Sequence, residues 1–183
     1  MPLDQHLNTL LNRCLKHDRR AQRELYDNHY SWALNICIRY ARSKAEAEEV
    51  VNDGFIKIFK GLASFDREQA LRPWLKRIFV NAALDQLKKK AWDPQPIDMA
   101  NEIMVLPKSI DYLQYEDVLA AIQSLSPAYR AVFNLHEVEG YKHTEIASLL
   151  SISESTSRSN LLRAKRLLRK QLQHLDHPLS RPA

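Results

Sequence analysis

The chain has little glycine, few of the alternating β-branched runs that strands use, and none of the long apolar runs that build membrane spans. It contains three glycines in 183 residues, and alternating β-branched runs are scarce. With a hydrophobic content of 45%, this composition predicts an all-α protein with packed cores. No stretch approaches the roughly 20 consecutive apolar residues of a spanning helix, and the N-terminus lacks a signal-peptide pattern. We therefore expect no membrane insertion.

Cysteine is equally sparse. Cys14 and Cys37 are isolated from each other in the sequence and have no spacing of the kind that metal sites use. This usage is typical of buried thiols in a reducing compartment, so we expect a cytoplasmic protein.

Motifs for covalent chemistry are missing as well. The sequence has no metal-spaced set of histidines and cysteines, no glycine-rich phosphate loop and no nucleophile motif. His136 and His143 are seven residues apart, but a helix break near Gly140 is predicted to separate them, so we interpret them as core or surface histidines. We expect no catalytic residue, no bound metal and no cofactor.

Positive charge is concentrated near the end of the chain. Six basic residues accompany the single acid Glu154 between Glu154 and Lys170, and the net charge of this segment equals the +5 of the whole chain. Such local basicity favours nucleic acid over a membrane surface as the partner.

The basic segment is the second part of a predicted helix-turn-helix. Apolar residues recur at helical spacing up to residue 150, and residues 151–153 interrupt this pattern. Ser153 is placed to cap a new helix. Four residues of the new helix, spaced by three or four, form one predicted core-facing stripe: Ser157, Leu161, Ala164 and Leu168. Two short helices with this break are typical of duplex DNA binding in the major groove, although an ordinary hairpin with a solvated basic face has the same pattern.

The remaining chain also shows helical periodicity. The predicted helices span 3–16, 19–42, 44–62, 71–90, 112–124, 127–138, 141–150 and 154–170. Their predicted inward-facing residues include Leu7, Leu10, Leu11, Leu15, Val51, Phe55, Trp74, Ile78, Leu84 or Leu87, Leu113, Val118, Ile122 and Leu125. Asp18 and Ser43 are placed as N-terminal caps, Pro127 as a first helical residue, and Gly140 as a left-handed helix end.

Two surfaces of the first half remain open to interpretation. The third helix has a mixed polar face with Glu49, Asn52, Asp53 and Lys57, which in isolation is ordinary solvated surface. Farther along, aromatic residues alternate with basic ones, a combination that single-stranded nucleic acid requires, although aromatic residues at helical spacing are more often core. The aromatic residues are Phe65, Trp74 and Phe79.

Segments 47–66, 71–90 and 125–168 together resemble the bacterial extracytoplasmic-function sigma factors, the two-domain sigma subunits of RNA polymerase. The resemblance extends over about 19–172. It implies a first domain at 1–91, an extended proline-containing linker at 92–111, a helix-turn-helix domain at 112–175 and a tail at 176–183. In the family the third helix docks on the clamp helices of the polymerase, and the matching residues here are Glu49, Asn52, Asp53 and Lys57.

The resemblance also implies two DNA contacts. The loop at 64–71 and the following helix match the elements that hold a flipped base and that recognise and melt the minus-ten element, with the site residues Phe65, Trp74, Arg77, Asn81, Asp85 and Lys88. The basic helix matches the one that binds the minus-thirty-five element as duplex, with the site residues Arg158, Ser159, Leu162, Arg163, Lys165 and Arg166. Core RNA polymerase, promoter DNA and an anti-sigma factor are the implied partners.

The family usually has valine at the position of Ser157, a turn glycine at Ser151 and arginine at Asn160, so this chain departs from its relatives within the helix-turn-helix. Two alternative functions make different predictions. A stand-alone regulator would bind specific duplex without polymerase, and an enzyme acting on nucleic acid would need acidic or histidine residues gathered in a cleft.

Overall fold

A computed structural model of the chain describes residues 5–92 and 110–173, and the side chains at 5–89 and 115–173. The helices are α1 (Gln5–Leu15), α2 (Arg19–Cys37), α3 (Lys44–Gly61), α4 (Leu71–Trp92), α5 (Ile110–Ser124), α6 (Pro127–Phe133), α7 (His143–Leu150) and α8 (Glu154–Gln171). A 3₁₀ turn, Leu62–Ser64, follows α3, and a π-helical segment, Asn134–Val138, follows α6. Over this part of the chain no strand occurs, which confirms the predicted all-α class.

The chain divides into two compact units, Met1–Lys90 and Ala91–Ala183. The predicted linker at 92–111 falls almost entirely outside the described residues, as do the tail at 176–183 and the side chain of Leu113. At the borders of this interval, α4 continues to Trp92 and α5 begins at Ile110, each slightly beyond its predicted end. Among the helices that the structure describes, none has the length and apolar character needed to cross a membrane.

The predicted N-terminal caps of α2 and α3 are confirmed. The Asp18 carboxylate accepts hydrogen bonds from the backbone N–H groups of Arg20 at 2.9 Å and Ala21 at 3.2 Å, and the Ala21 N–H in particular holds the pKa of Asp18 below its usual value. The Ser43 hydroxyl accepts from the Glu46 N–H at 3.2 Å. Each cap satisfies backbone donors that the first helical turn leaves unpaired.

The predicted end of α2, near residue 42, is wrong. The helix ends at Cys37, whose carbonyl accepts hydrogen bonds from Tyr40 at 3.0 Å and Ala41 at 3.1 Å in the turns that follow. Tyr40 and Ala41 are nevertheless buried, so the apolar pattern continues past the end of the helix. The apolar periodicity therefore marks the residues that are buried in the core, and it extends beyond the residues that are helical.

Cys14 and Cys37 are buried thiols, as predicted. Burial raises the pKa of the Cys14 thiol to about 11, which keeps it protonated and unreactive. Because Cys14 takes the inward position at the end of α1, the neighbouring Leu15 is 39% exposed, and its predicted core position is wrong.

An aromatic core joins α2, α3 and α4. The Phe79 ring meets Phe55 at 5.2 Å and Trp32 at 6.1 Å between centroids, in edge-to-face geometry. Leu75 and Phe79 are fully buried whereas Trp74 and Ile78 are only half-buried, so the predicted inward face of α4 is wrong by one residue. Leu84 and Leu87 are buried as predicted.

Gly54 allows α3 and α4 to approach closely at this core. A Cβ at position 54 would lie 2.5 Å from Cδ1 and 2.6 Å from Cε1 of Phe79, which is closer than carbon atoms approach. Since Phe79 is fully buried among other rings, it has little room to move.

We therefore expect Gly54→Ala to lower the free energy of unfolding of the first unit by about 1–3 kcal/mol through overpacking. Urea denaturation followed by tryptophan fluorescence measures this change. Gly61→Ala is the matched control, because its Cβ would lie 3.8 Å from Trp74, an ordinary contact distance. Equal stability of the two variants would contradict the overpacking argument.

The second unit has its core between α5, α6 and α8. A buried cluster of Ala121, Ile122, Leu125, Ala164 and Leu168 is covered by Tyr129, Phe133 and Leu172. Pro127 occupies the first position of α6, as predicted, but the Ser126 side chain makes no capping bond. One prediction is wrong in this region, because Val118 is 37% exposed. The predicted helix at 127–138 is present, with α6 as far as Phe133 and the π-helical segment from Asn134 to Val138.

Two left-handed residues shape the helix-turn-helix. Gly140 has φ of 81°, which confirms the predicted left-handed helix end, and it turns the chain back toward α7. Ser151 ends α7 with φ of 55° and ψ of 45°, so a serine carries a conformation that glycine adopts at less cost. Ser153 then caps α8 by accepting a hydrogen bond from the Thr156 N–H at 3.0 Å, as predicted.

Candidate nucleic-acid interface

Helix α8 has one buried and one exposed face. The predicted core-facing stripe is confirmed, because Ser157 and Ala164 are fully buried while Leu161 and Leu168 are nearly so. The opposite side of the helix is exposed and contains all six residues that were predicted to contact the minus-thirty-five element: Arg158, Ser159, Leu162, Arg163, Lys165 and Arg166. Leu162 is 72% exposed, which is unusual for a leucine on a polar helix face.

The exposed residues of α8 differ in their intramolecular partners. Arg158 forms an ion pair with Glu154 one turn earlier, and the Lys165 ammonium lies 2.8 Å from the Glu137 carboxylate. Among the residues that the structure describes, Arg163 and Arg166 have no ion-pair partner. These two guanidinium groups are therefore available to a ligand without loss of an internal contact.

A polar cluster that sequence reasoning missed lies behind the exposed face. The rings of His136 and His143 stack with centroids 4.5 Å apart, so the prediction that the break near Gly140 separates them is wrong. His143 Nδ1 lies 2.9 Å from the hydroxyl of the buried Ser157. His136 Nδ1 lies 2.7 Å from the Glu137 carboxylate. The reversal of the chain at Gly140 brings the two histidines together.

The surroundings of this cluster lower the pKa of both Glu137 and His143. The hydrogen bond from Lys165, assisted by that from His136, holds the pKa of Glu137 below its usual value. Burial lowers the pKa of His143, and the neighbouring His136 and Arg158 lower it further. Glu137 is thus a stable anion, whereas His143 favours the neutral imidazole.

In the first unit, the predicted polymerase-binding residues share the exposed face of α3. Glu49, Asn52, Asp53 and Lys57 are all exposed, and Asn52 also accepts a hydrogen bond from the Tyr26 hydroxyl at 3.1 Å. Ile56 lies on the same face and is 51% exposed. Sequence reasoning missed Ile56, although an isoleucine one turn after Asn52 and Asp53 interrupts an otherwise polar face.

The six residues predicted to contact the minus-ten element lie in different environments. Phe65 is 5% exposed and packs against the half-buried Trp74 with ring centroids 4.9 Å apart, so its ring is covered in this conformation. Asn81 is half-buried, and the other three predicted residues are exposed: Arg77, Asp85 and Lys88. The loop before α4 is shaped by Asp66, whose carboxylate accepts from the Glu68 N–H at 3.0 Å.

A groove connects the α3 face with the α4 face. Lys57 and Asp85 form an ion pair of 2.7 Å across it. The groove has a volume of about 310 Å³ and is lined by Asp53, Lys57, Ala82, Asp85, Gln86, Lys88 and Lys89. Two predicted polymerase contacts, Asp53 and Lys57, and two predicted DNA contacts, Asp85 and Lys88, therefore line one groove of the first unit.

Metal-binding geometry is absent from the described parts of both units. No group of three or more histidine, cysteine, aspartate or glutamate side chains within 5–89 and 115–173 is placed to hold a metal ion. The stacked histidines are therefore understood through their hydrogen bonds to Ser157 and Glu137.

Two family models match the chain, one for each unit. The model described as sigma-70 region 2 matches residues 25–93, and the model described as sigma-70, region 4 matches residues 115–168. The first match includes the α3 and α4 faces, and the second includes the helix-turn-helix.

The chain is also similar in sequence to curated sigma factors and similar in fold to a solved sigma factor structure. The chain is 27% identical to the RNA polymerase sigma-H factor of Pseudomonas aeruginosa, with 91% of this chain and 93% of that protein covered. It is 27% identical to the ECF RNA polymerase sigma factor SigW of Bacillus subtilis, with 87% and 93% covered. The solved structure of the sigma factor RpoE in complex with the anti-sigma factor NepR from Bartonella quintana has a similar fold, with a TM-score of 0.59, 22% identity, and 85% of this chain and 98% of that chain covered.

Proposed function

Because the chain belongs to the sigma-70 family, within its extracytoplasmic-function (ECF) group, and is a sigma factor of transcription initiation, we propose a division of labour between its two units. The first unit binds core RNA polymerase through α3, and recognises and melts the minus-ten element through α4 and the loop before it. The second unit binds the minus-thirty-five element as duplex through α8.

The face of α8 is the observation that carries this proposal. Arg158, Arg163 and Leu162 are exposed on a helix whose opposite side is anchored in the core. A helix of this width fits the major groove, where arginine can bind guanine edges bidentately and leucine can contact a thymine methyl. Lys165 and Arg166 are assigned to phosphate contacts, which contribute affinity without sequence preference. Ser159 donates to the Thr156 carbonyl at 3.0 Å, and we assign it a minor part in specificity.

We assign polymerase binding to the exposed α3 face. Glu49 and Asp53 provide negative charge, Asn52 and Lys57 provide hydrogen-bonding groups, and Ile56 adds an apolar contact near the middle of the face. An apolar residue surrounded by polar ones is the usual composition of a protein interface with a dry centre and a wet rim.

At the minus-ten element we assign the contacts to Arg77, Asn81, Asp85 and Lys88 on α4, with Trp74 and Phe65 next to the loop. Melting becomes favourable when an extruded base is captured, because capture offsets the lost stacking of a few kcal/mol. Since the Phe65 ring is buried against Trp74, base capture through this ring requires the loop to rearrange.

We further propose an anti-sigma factor as the regulatory partner, which the family relationship implies, and the cytoplasm as the compartment in which the chain acts. The Bartonella quintana RpoE was solved with an anti-sigma factor, NepR. The same surfaces that bind polymerase and DNA are the ones that such a partner would cover.

Run-off transcription tests the proposal. The full chain is mixed with sigma-free core RNA polymerase and a genomic fragment library, and transcript starts are sequenced. We expect discrete starts that share two upstream motifs. No discrete starts, combined with specific duplex binding by the chain alone, would support a stand-alone regulator, which the exposed α8 face would also permit.

A further inference from the structure

We propose that His143 is a positioning residue for α8: with His136 and Glu137 it fixes the rotation and axial position of the recognition helix against the two segments that precede it. The proposal deepens the function assigned above and rests on it. It concerns His143, His136 and Glu137, none of which is assigned a DNA contact.

Five side chains form a circuit that begins and ends on α8. Ser157 is joined to His143 at 2.9 Å, and the His143 ring stacks on His136 at 4.5 Å with an interplanar angle of 25°. His136 is joined to Glu137 at 2.7 Å, and Glu137 to Lys165 at 2.8 Å. Ser157 and Lys165 are eight residues apart, which is about 12 Å of helix rise. The circuit therefore holds α8 at two points more than two turns apart.

The circuit restrains a rotation of α8 that the apolar core does not restrain. Leu161, Ala164 and Leu168 attach α8 by contacts that have no directional preference. The bond from His143 to Ser157 is directional, and Ser157 is fully buried, so its hydroxyl has no access to water as an alternative partner. A rotation of α8 that the apolar contacts tolerate would break this bond.

The DNA-facing residues depend on that rotation. Arg158 directly follows Ser157, and Arg163 lies between the two anchor points of the circuit. Recognition side chains must be held within about 0.5 Å and 10–20° of their productive geometry. Loss of the His143 bond is therefore expected to reduce discrimination between base sequences more than it reduces general attraction to DNA.

Protonation of His143 works against the circuit. Four charged groups act electrostatically on its ring: His136 and Glu137 from the π-helical segment, and Glu154 and Arg158 from α8. Burial, His136 and Arg158 lower the pKa of His143 and outweigh the two carboxylates. A protonated His143 would repel Arg158 and, where it is charged, His136, and so loosen the contact with Ser157.

The direction of the pH effect follows from this lowered pKa. The folded state binds the proton less readily than the unfolded state, whose histidine pKa is about 6.5. Stability from this group is complete above about pH 6.5 and is lost as the pH falls from there to the lower folded pKa, below which it changes no further. Specific DNA binding by the folded chain should weaken at the lower end of this interval, where the pH falls through the folded pKa and the folded His143 takes up its proton.

The test compares His143→Ala and His143→Asn in holoenzyme assembled from full-length chain and core polymerase. The probes are a duplex with the upstream motif found by run-off transcription and a duplex with that motif scrambled. At about pH 7.5 we expect His143→Ala to reduce the ratio of the two affinities about fivefold, the usual effect of one lost hydrogen bond, with binding to scrambled DNA within about twofold of wild type.

His143→Asn separates positioning from folding, because its amide can occupy the place of Nδ1 but cannot titrate. We expect this variant to restore the affinity ratio at about pH 7.5, and to hold it as the pH falls through the lowered pKa of His143 while the wild-type ratio declines. Circular dichroism confirms that each variant is folded.

The possible failures are distinct. A wild-type holoenzyme that does not distinguish the two duplexes would overturn the assigned function of the second unit, and the inference with it. A wild-type holoenzyme that does distinguish them, with His143→Ala equal to wild type, would overturn the inference alone. Parallel pH profiles for wild type and His143→Asn would likewise overturn it.

Discussion

Replacing Asp53 with lysine should lower the affinity of the chain for core RNA polymerase by about tenfold or more. Asp53 is exposed on the α3 face beside Ile56 and at the edge of the groove between α3 and α4. Reversing its charge at an interface places like charges opposite each other, at a cost of several kcal/mol, and about 1.4 kcal/mol corresponds to tenfold in affinity. Competition against labelled wild-type chain for core polymerase measures the change.

Asp27→Lys is the matched control for this experiment. Asp27 is an exposed acid on α2 in the same unit, and the substitution changes the net charge by the same amount. Its ion pair with Arg23 is highly exposed, so the loss should have little effect on stability. If both lysine variants bound polymerase as well as the wild type, the α3 face would be ordinary solvated surface. Equal weakening of both would show a general charge effect rather than a docking site.

Arg163→Ala should weaken binding to promoters that have an intact minus-thirty-five element by about 1–3 kcal/mol, or roughly 5- to 150-fold. Arg163 is exposed on α8 and has no ion-pair partner among the described residues, so its removal breaks no such pair within the protein. A guanidinium bound to a guanine edge distinguishes base pairs, and its loss should relax preference at one position of the element. Affinities for a set of single-base variants of the upstream motif measure this preference.

Arg169→Ala is the control for that measurement. Arg169 is exposed in the last turn of the same helix, where we expect it to contact the phosphate backbone rather than a base. Its loss should weaken binding to all duplexes about equally and make the affinity less dependent on salt. Unchanged discrimination among base variants by Arg163→Ala would reject the assignment of Arg163 as a base contact.

The local sequence pattern correctly predicted several features of helices that have one face on the core and the other in water. The buried stripe of α8, the caps at Ser43 and Ser153 and the left-handed Gly140 all follow from spacing and residue type. These features depend on neighbours within one or two turns, which the sequence contains. The exposed positions of the predicted α8 contacts follow from the same periodicity.

The local sequence pattern did not predict the structure correctly where a helix packs against neighbours on several sides, or where residues from different segments come into contact. Phe79 on α4 contacts aromatic rings of both α2 and α3, so apolar residues occupy several sides of α4 and no single face is distinguished by spacing. This explains the shift from Trp74 and Ile78 to Leu75 and Phe79. The stacking of His136 on His143 depends on the angle at which the chain reverses, which their separation in sequence does not specify.

The two buried thiols make the first unit chemically distinguishable from the second. Cys14 and Cys37 are the only cysteines in the chain, and both lie in the first unit. Because neither thiol is accessible in the folded state, a thiol-reactive dye labels the chain only through opening of that unit. The rate of labelling would therefore measure opening of the first unit alone, because the second unit has no cysteine to label. The native chain thus contains its own reporter for how polymerase, or an anti-sigma factor, protects one unit from opening.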